Sequence, residues 1–185
     1  LTGGAGTDTF KVDVGTDTIT DLGGASGGET DVLIVSAGAT ANATNITSFT
    51  ADSSTSNSGT ANLTTKVGGG TIDIGNSTTG AYSLTGLSGN DTLKGNGNAD
   101  IINGGGGDDN IDGRGGNDEI NAGAGDDIIT VSSAGQGDGD TIDGGSGTDT
   151  LSLSSGSHAF ATDAKLQNIN SITLASTSTV IDLTG

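Results

Sequence analysis

Cysteine, proline, methionine and tryptophan are all missing from this chain, and one Tyr and three Phe are its only large aromatic side chains. Without cysteine there is no disulfide framework, although this decides nothing about the redox compartment. Without Met and Trp, and with so little Phe, a conventional core of large side chains is excluded. Basic residues are scarce as well. Five Lys and Arg stand against 23 Asp and Glu, a net charge of −18. Five scattered cations cannot track a phosphate backbone, so nucleic acid is excluded as a partner. No run of 18 apolar residues exists to span a membrane as a helix. No basic segment followed by an apolar one opens the chain at Leu1, which reads as a piece of a longer polypeptide.

What the chain has is 36 glycines among Thr, Ser, Asn and Asp. These residues favour strands and turns over helices. Read in nines, the centre resolves into GLSGNDTLK (86–94), GNGNADIIN (95–103), GGGGDDNID (104–112), GRGGNDEIN (113–121) and AGAGDDIIT (122–130). Four residues, Val131 to Ala134, intervene before GQGDGDTID (135–143) and GGSGTDTLS (144–152). An eighth copy, GGAGTDTFK, stands alone at 3–11. The shared pattern is G-G-x-G-x-D-x-U-x, with U a large apolar residue.

Each position has a physical task. Gly89, Gly105, Gly107, Gly116, Gly125 and Gly147 let the backbone turn through positive φ and let passes of chain approach closely. Such turns present carbonyl oxygens, and the sixth-position acid adds a carboxylate. Oxygen-only, anionic sites suit Ca²⁺, a hard cation that takes six to eight oxygens. The last three residues of each unit form a short strand whose U side chain points inward. Asp91, Asp100, Asp109, Asp118, Asp127, Asp140 and Asp149 therefore stack as ladders, with Asp8 as an outlying member. Leu93, Ile102, Ile111, Ile120, Ile129, Ile142 and Leu151 stack as a thin core. One unit cannot bury its apolar residue alone, so several must stack.

The pattern resembles the RTX calcium-binding nonapeptide. That resemblance implies that two successive units make one 18-residue coil of a parallel β-roll, with several Ca²⁺ between neighbouring turns on both sides. It also implies type I secretion. Residues 86–152 carry thirteen acids against Lys94 and Arg114, a net of −11, which roughly five or six Ca²⁺ would neutralise. The departures are Asn98 and Asp138 at the fourth position, Ala122 at the first, and the Val131–Ala134 insert, which is expected to interrupt one ladder.

Two other patterns are refused. Asp108-x-Asn110-x-Asp112-Gly113-x₅-Glu119 satisfies the EF-hand expression, but its flanks hold too much Gly for helices. Gly24-Ala25-Ser26-Gly27-Gly28 fits a hydrolase nucleophile elbow, yet a turn and a strand follow it where a helix is required. The only imidazole, His158, sits in the polar SSGSHAF stretch and reads as a surface residue.

Around the repeats, strands are expected at 17–22, 31–36, 62–67, 71–74 and 81–85, with Ile72, Ile74, Tyr82 and Leu84 facing inward. Residues 37–59 read as a polar strand with loops or a loose excursion. The NINSITL and VIDL stretches near the C-terminus are similar to solenoid rungs of bacterial surface-layer proteins. The closing IDLTG also matches what precedes each repeat block, which points to tandem solenoid and roll segments.

The expectation is an all-β fold, a calcium-binding parallel β-roll flanked by β-solenoid or β-sandwich strands: the roll at 86–152, a strand-rich segment at 1–85 that opens on one repeat, and solenoid-like rungs at 153–185. The expected role is non-enzymatic. It is that of a calcium-folded structural module in a secreted or cell-surface protein of surface-layer or adhesin type. Neighbouring copies in a surface lattice, or a cell-surface glycan, are the expected partners. The alternative is the accessory module of a type I-secreted protease, lipase, epimerase or toxin.

Overall fold

The structure is a computed structural model describing residues 1–23, 30–132, 139–160, 166–175 and 180–182. Among them there are twenty strands and no helix, as a chain dense in Gly, Thr and Asn requires. Every strand pairing is parallel. Parallel neighbours joined by short turns make a solenoid, and the strands flanking the repeats belong to it rather than to an antiparallel sandwich.

Two sheets form its walls. The first runs through Thr16–Ile19, Thr40–Ile46, Thr60–Thr65, Ser83–Thr85, Ile101–Gly106, Glu119–Ala124, Thr141–Ser146 and Leu166–Gln167. The second runs through Ser48–Thr50, Thr71–Asp73, Thr92–Lys94, Asn110–Asp112, Ile128–Val131, Thr150–Leu153 and Ser171–Leu174. A third, smaller sheet of Thr9–Val12, Val32–Val35 and Ser56–Asn57 widens the N-terminal coils. Residues 37–59 thus hold regular strands, with Ala41, Ala43 and Phe49 alternating inward. The walls continue without a break across residues 85/86 and 152/153.

Register sets the coil length. Asp91 and Asp109 are hydrogen-bonded neighbours 18 residues apart, whereas flanking coils advance by 21 residues at Gly70–Asp91 and at Asp149–Asn170. Ile102, Ile120 and Ile142 of the first wall and Leu93, Ile111, Ile129 and Leu151 of the second are buried in one continuous core. Ile72, Ile74, Tyr82 and Leu84 extend that core as the alternation requires. Each buried aliphatic side chain is worth about 1.5–3 kcal/mol, so one per nonapeptide is a thin core.

His158 departs from the sequence expectation. Its strand, Ser157–Ala159, pairs with Val180–Asp182, which turns the imidazole inward until it is fully buried, with Nε2 3.2 Å from the Ser154 carbonyl. The EF-hand pattern falls on strands Asn110–Asp112 and Glu119–Ala124. The Gly24–Gly28 pattern lies outside the described residues.

Candidate metal centre: the aspartate ladders

The sixth-position aspartates close the turns at the two edges of the solenoid, and the coil period decides which edge each one takes. On one edge the Oδ1 of Asp91 accepts the Gly70 N–H at 2.6 Å. Asp109 accepts from Asp91 at 2.8 Å, Asp127 from Asp109 at 2.7 Å, and Asp149 from Asp127 at 3.0 Å. On the other edge Asp100 accepts from Tyr82 at 2.7 Å, Asp118 from Asp100 and Asp140 from Asp118, both at 2.8 Å. All seven are buried.

The insert at Val131–Ala134 does not interrupt either ladder, contrary to the sequence expectation. Asp118–Asp140 and Asp127–Asp149 simply span 22 residues instead of 18. The strand register is kept across the insert, with Glu119 opposite Thr141 and Ile128 opposite Thr150.

The second carboxylate oxygens are different. The Oδ2 atoms of Asp91, Asp109, Asp118, Asp127 and Asp149 are buried and accept no hydrogen bond. A buried carboxylate oxygen without a partner costs several kcal/mol unless a cation meets it. Beside these oxygens lie the first-position glycines. A Cβ on Gly86 would come within 2.7 Å of Asp91 Oδ2, and one on Gly144 within 2.8 Å of Asp149 Oδ2. The Gly104 carbonyl also faces Gly86, and the Asn168 carbonyl faces Gly144. Each hollow thus brings together oxygens from two coils where a side chain is missing.

Gly89, Gly105, Gly107, Gly116, Gly125 and Gly147 all have φ between 97° and 140°. The fourth-position members also stack without side chains. A Cβ on Gly107 would lie 2.6 Å from the Gly89 carbonyl carbon, and one on Gly89 2.5 Å from that of Gly68. Glycine there is required by both the backbone angle and the space between successive coils.

Charge follows the geometry. Burial, with the like charges of Asp140, Asp100 and Asp112 added, pushes the Asp118 carboxyl from 3.8 up to about 8. Burial likewise raises Asp100 and Asp109 to about 6, and raises Asp127. An outer, exposed row runs alongside one ladder: Asn90 Oδ1 accepts from Asp108, Asp108 from Asp126, and Asp126 from Thr148.

The RTX calcium-binding nonapeptide repeat model matches the chain in four copies, at residues 1–25, 78–111, 104–133 and 134–157. Together these cover more than half of it. The chain belongs to the RTX calcium-binding repeat family. No curated protein and no solved structure matches it. RTX repeats bind several Ca²⁺ ions, and the residues present here fit that ion: orphaned anionic oxygens beside hollows too small for a side chain. Among the described residues, no three acidic or imidazole side chains converge. A cation in this RTX roll must therefore draw its remaining oxygens from the backbone.

Sequence reasoning missed two ladder members. Asp31 accepts the Asp8 N–H at 2.9 Å through Oδ1 and the Gly23 N–H at 2.7 Å through Oδ2. Asn170 accepts the Asp149 N–H at 2.6 Å. The signal for Asp31 was present, since Leu33 follows it by two residues as U follows every repeat aspartate.

Proposed function

We propose that this RTX module folds on extracellular calcium and serves as a structural segment of a large secreted or cell-surface bacterial protein of surface-layer or adhesin type. Asp91, Asp109, Asp127 and Asp149 on one edge, and Asp118 and Asp140 on the other, hold the ions through their carboxylates. Backbone oxygens of the turns around Gly89, Gly105, Gly107, Gly116, Gly125 and Gly147 complete the shells. Asp8, which faces Gly3, is the outlying ligand.

The observation that carries this reading is the set of five buried, unpartnered Oδ2 atoms, four along one edge and one on the other. Calcium supplies the positive charge that the chain lacks, and its binding free energy becomes folding free energy. At low calcium the acidic ladders repel and the coils that depend on the ion stay open. At the millimolar calcium outside cells the turns close. Neighbouring copies in a surface lattice, or a surface glycan, are the partners such a rigid module would meet.

Far-UV circular dichroism, with Ca²⁺ titrated from excess chelator to ~10 mM and Mg²⁺ as control, tests the mechanism. A cooperative, Ca²⁺-selective coil-to-β transition is expected. A full β spectrum in chelator, unchanged by calcium, would remove the mechanism.

A further inference from the structure

The turn at 95–100 differs from the turns around it. Both carboxylate oxygens of Asp100 accept backbone hydrogen bonds, Oδ1 from Tyr82 at 2.7 Å and Oδ2 from Asn96 at 2.8 Å, whereas the Oδ2 atoms of Asp91, Asp109 and Asp118 on the neighbouring turns accept none. Asn96 stands where the pattern has its second Gly, and it is buried. Its Nδ2 donates to the Gly80 carbonyl of the preceding coil at 3.0 Å, and its Oδ1 accepts the Asn98 N–H at 2.8 Å. One asparagine therefore joins the carboxylate, the neighbouring coil and its own turn.

A cation is present here too, but it is covalently attached. Arg114 reaches back from the next turn on the same edge, and its Nη1 donates to the Gly95 carbonyl and to Asp73 Oδ1, both at 2.8 Å. Nη2 donates to Asp73 Oδ2 at 3.2 Å. The guanidinium thus sits on the first-position carbonyl of turn 95–100 and on a carboxylate one coil further back. Arg114 holds φ at 66°, an angle costly for a side chain other than Gly. The turn before continues the theme. Ser77 Oγ and Tyr82 Oη are 2.8 Å apart, and Asn57 Nδ2 donates to the Ala81 carbonyl at 2.5 Å.

We infer that the turn at 95–100 is closed by Asn96 and Arg114 in place of calcium, and that it forms a calcium-independent edge on which the calcium-dependent coils stack. In a solenoid each coil is stabilised by its neighbours, so a preformed edge removes the cost of starting the stack. Residues 60–103 then hold strand structure without metal, and the coils beyond them require it. The inference rests on the reading that unpartnered Oδ2 atoms take up Ca²⁺.

Counting bound calcium after equilibrium dialysis tests both together. Asp118→Asn is expected to lose at least one ion, whereas Asp100→Asn keeps the wild-type count. An unchanged count in D118N would overturn the ligand assignment and this inference with it. A loss in D100N equal to that in D118N would overturn the inference alone. Should D100N fail to fold, N96G, N98G and R114G together rewrite the two turns as GGGGAD and GGGGND. That variant is expected to gain an ion, and an unchanged count would overturn the inference. Hydrogen exchange of the wild-type module in chelator supplies a readout independent of metal. The amides of Ile101 and Thr92 are expected to exchange at least about tenfold more slowly than those of Ile128 and Thr150. Uniform exchange across these four would overturn it.

Discussion

Asp149 donates its backbone N–H to Asn170 Oδ1 at 2.6 Å, the bond that Asp127 gives Asp149 one coil earlier at 3.0 Å. An amide oxygen and a carboxylate oxygen thus make the same rung. The ladder bond needs no charge, so the charge on the repeat aspartates has another task, and at Asp91, Asp109, Asp118, Asp127 and Asp149 the unpartnered Oδ2 is where it resides.

Asp109→Asn isolates that task. The amide Oδ1 still accepts the Asp91 N–H, while the second oxygen becomes an NH₂ donor turned toward the hollow. The calcium midpoint for folding is expected to rise about tenfold, equivalent to roughly 1.4 kcal/mol. In chelator the variant should be slightly more structured than wild type, because one like charge beside Asp91 and Asp127 is gone. A circular dichroism titration of both proteins decides it, and coincident midpoints would contradict the ligand role.

Acid should act on the module in opposite directions with and without calcium. The carboxyls of Asp100, Asp109 and Asp118 sit well above 3.8 in the fold, at about 6, 6 and 8. A raised folded value means that the metal-free fold binds these protons more tightly than the open chain does. Their contribution is therefore complete below about pH 3.8 and is lost as pH rises through 6 and then 8. With calcium the ions displace the protons of Asp109 and Asp118, so the calcium needed for folding rises as pH falls below about 8 and again below about 6. Circular dichroism between pH 4 and 8.5, in chelator and with calcium titrated at each pH, should show β content rising with acid in the first series. In the second it should show a midpoint moving to higher calcium.

Much of this was legible because a strict period of nine leaves few alternatives. It placed the aspartates at the turns and the U residues two places further on in the strands, and the registers Leu93–Ile111–Ile129 follow directly. What escaped depends on residues a coil away. Asn57 and Asn96 have the composition of surface turns, yet both are buried because carbonyls 24 and 16 residues distant need a donor. His158 is hidden by a strand pairing 23 positions downstream that its polar neighbours do not announce. Asp31 lies in a coil of 23 residues, outside the period altogether.

Glycine requirement can be separated from mere glycine content. Gly107→Ala adds a methyl at a φ of 112°, 2.6 Å from the Gly89 carbonyl carbon. The left-handed angle alone costs about 1–2 kcal/mol, and the clash parts two coils beside Asp109. Gly97→Ala meets nothing within 4 Å and should stay within about 0.5 kcal/mol of wild type. Thermal unfolding at saturating calcium is expected to show a clear drop for the first substitution and none for the second. Equal effects would mean that the stacked turns are looser than described.

The thin core admits a test on two neighbouring strands. Ile111 and Ile128 lie on neighbouring strands of one sheet, at registers one residue apart. Ile111 packs between Leu93 and Ile129 with no exposed surface. Ile128 points outward from the same sheet and is 47% exposed. Ile111→Ala should cost about 2–5 kcal/mol, because a column one side chain wide has no neighbour able to fill the gap. The cost should appear both in the melting temperature with calcium and in a raised calcium midpoint, since binding and folding are one process. Ile128→Ala should leave both nearly unchanged. If the two variants behaved alike, the alternation along Ile128–Val131 would be reversed, and the aspartate two residues before each U would no longer face the hollow.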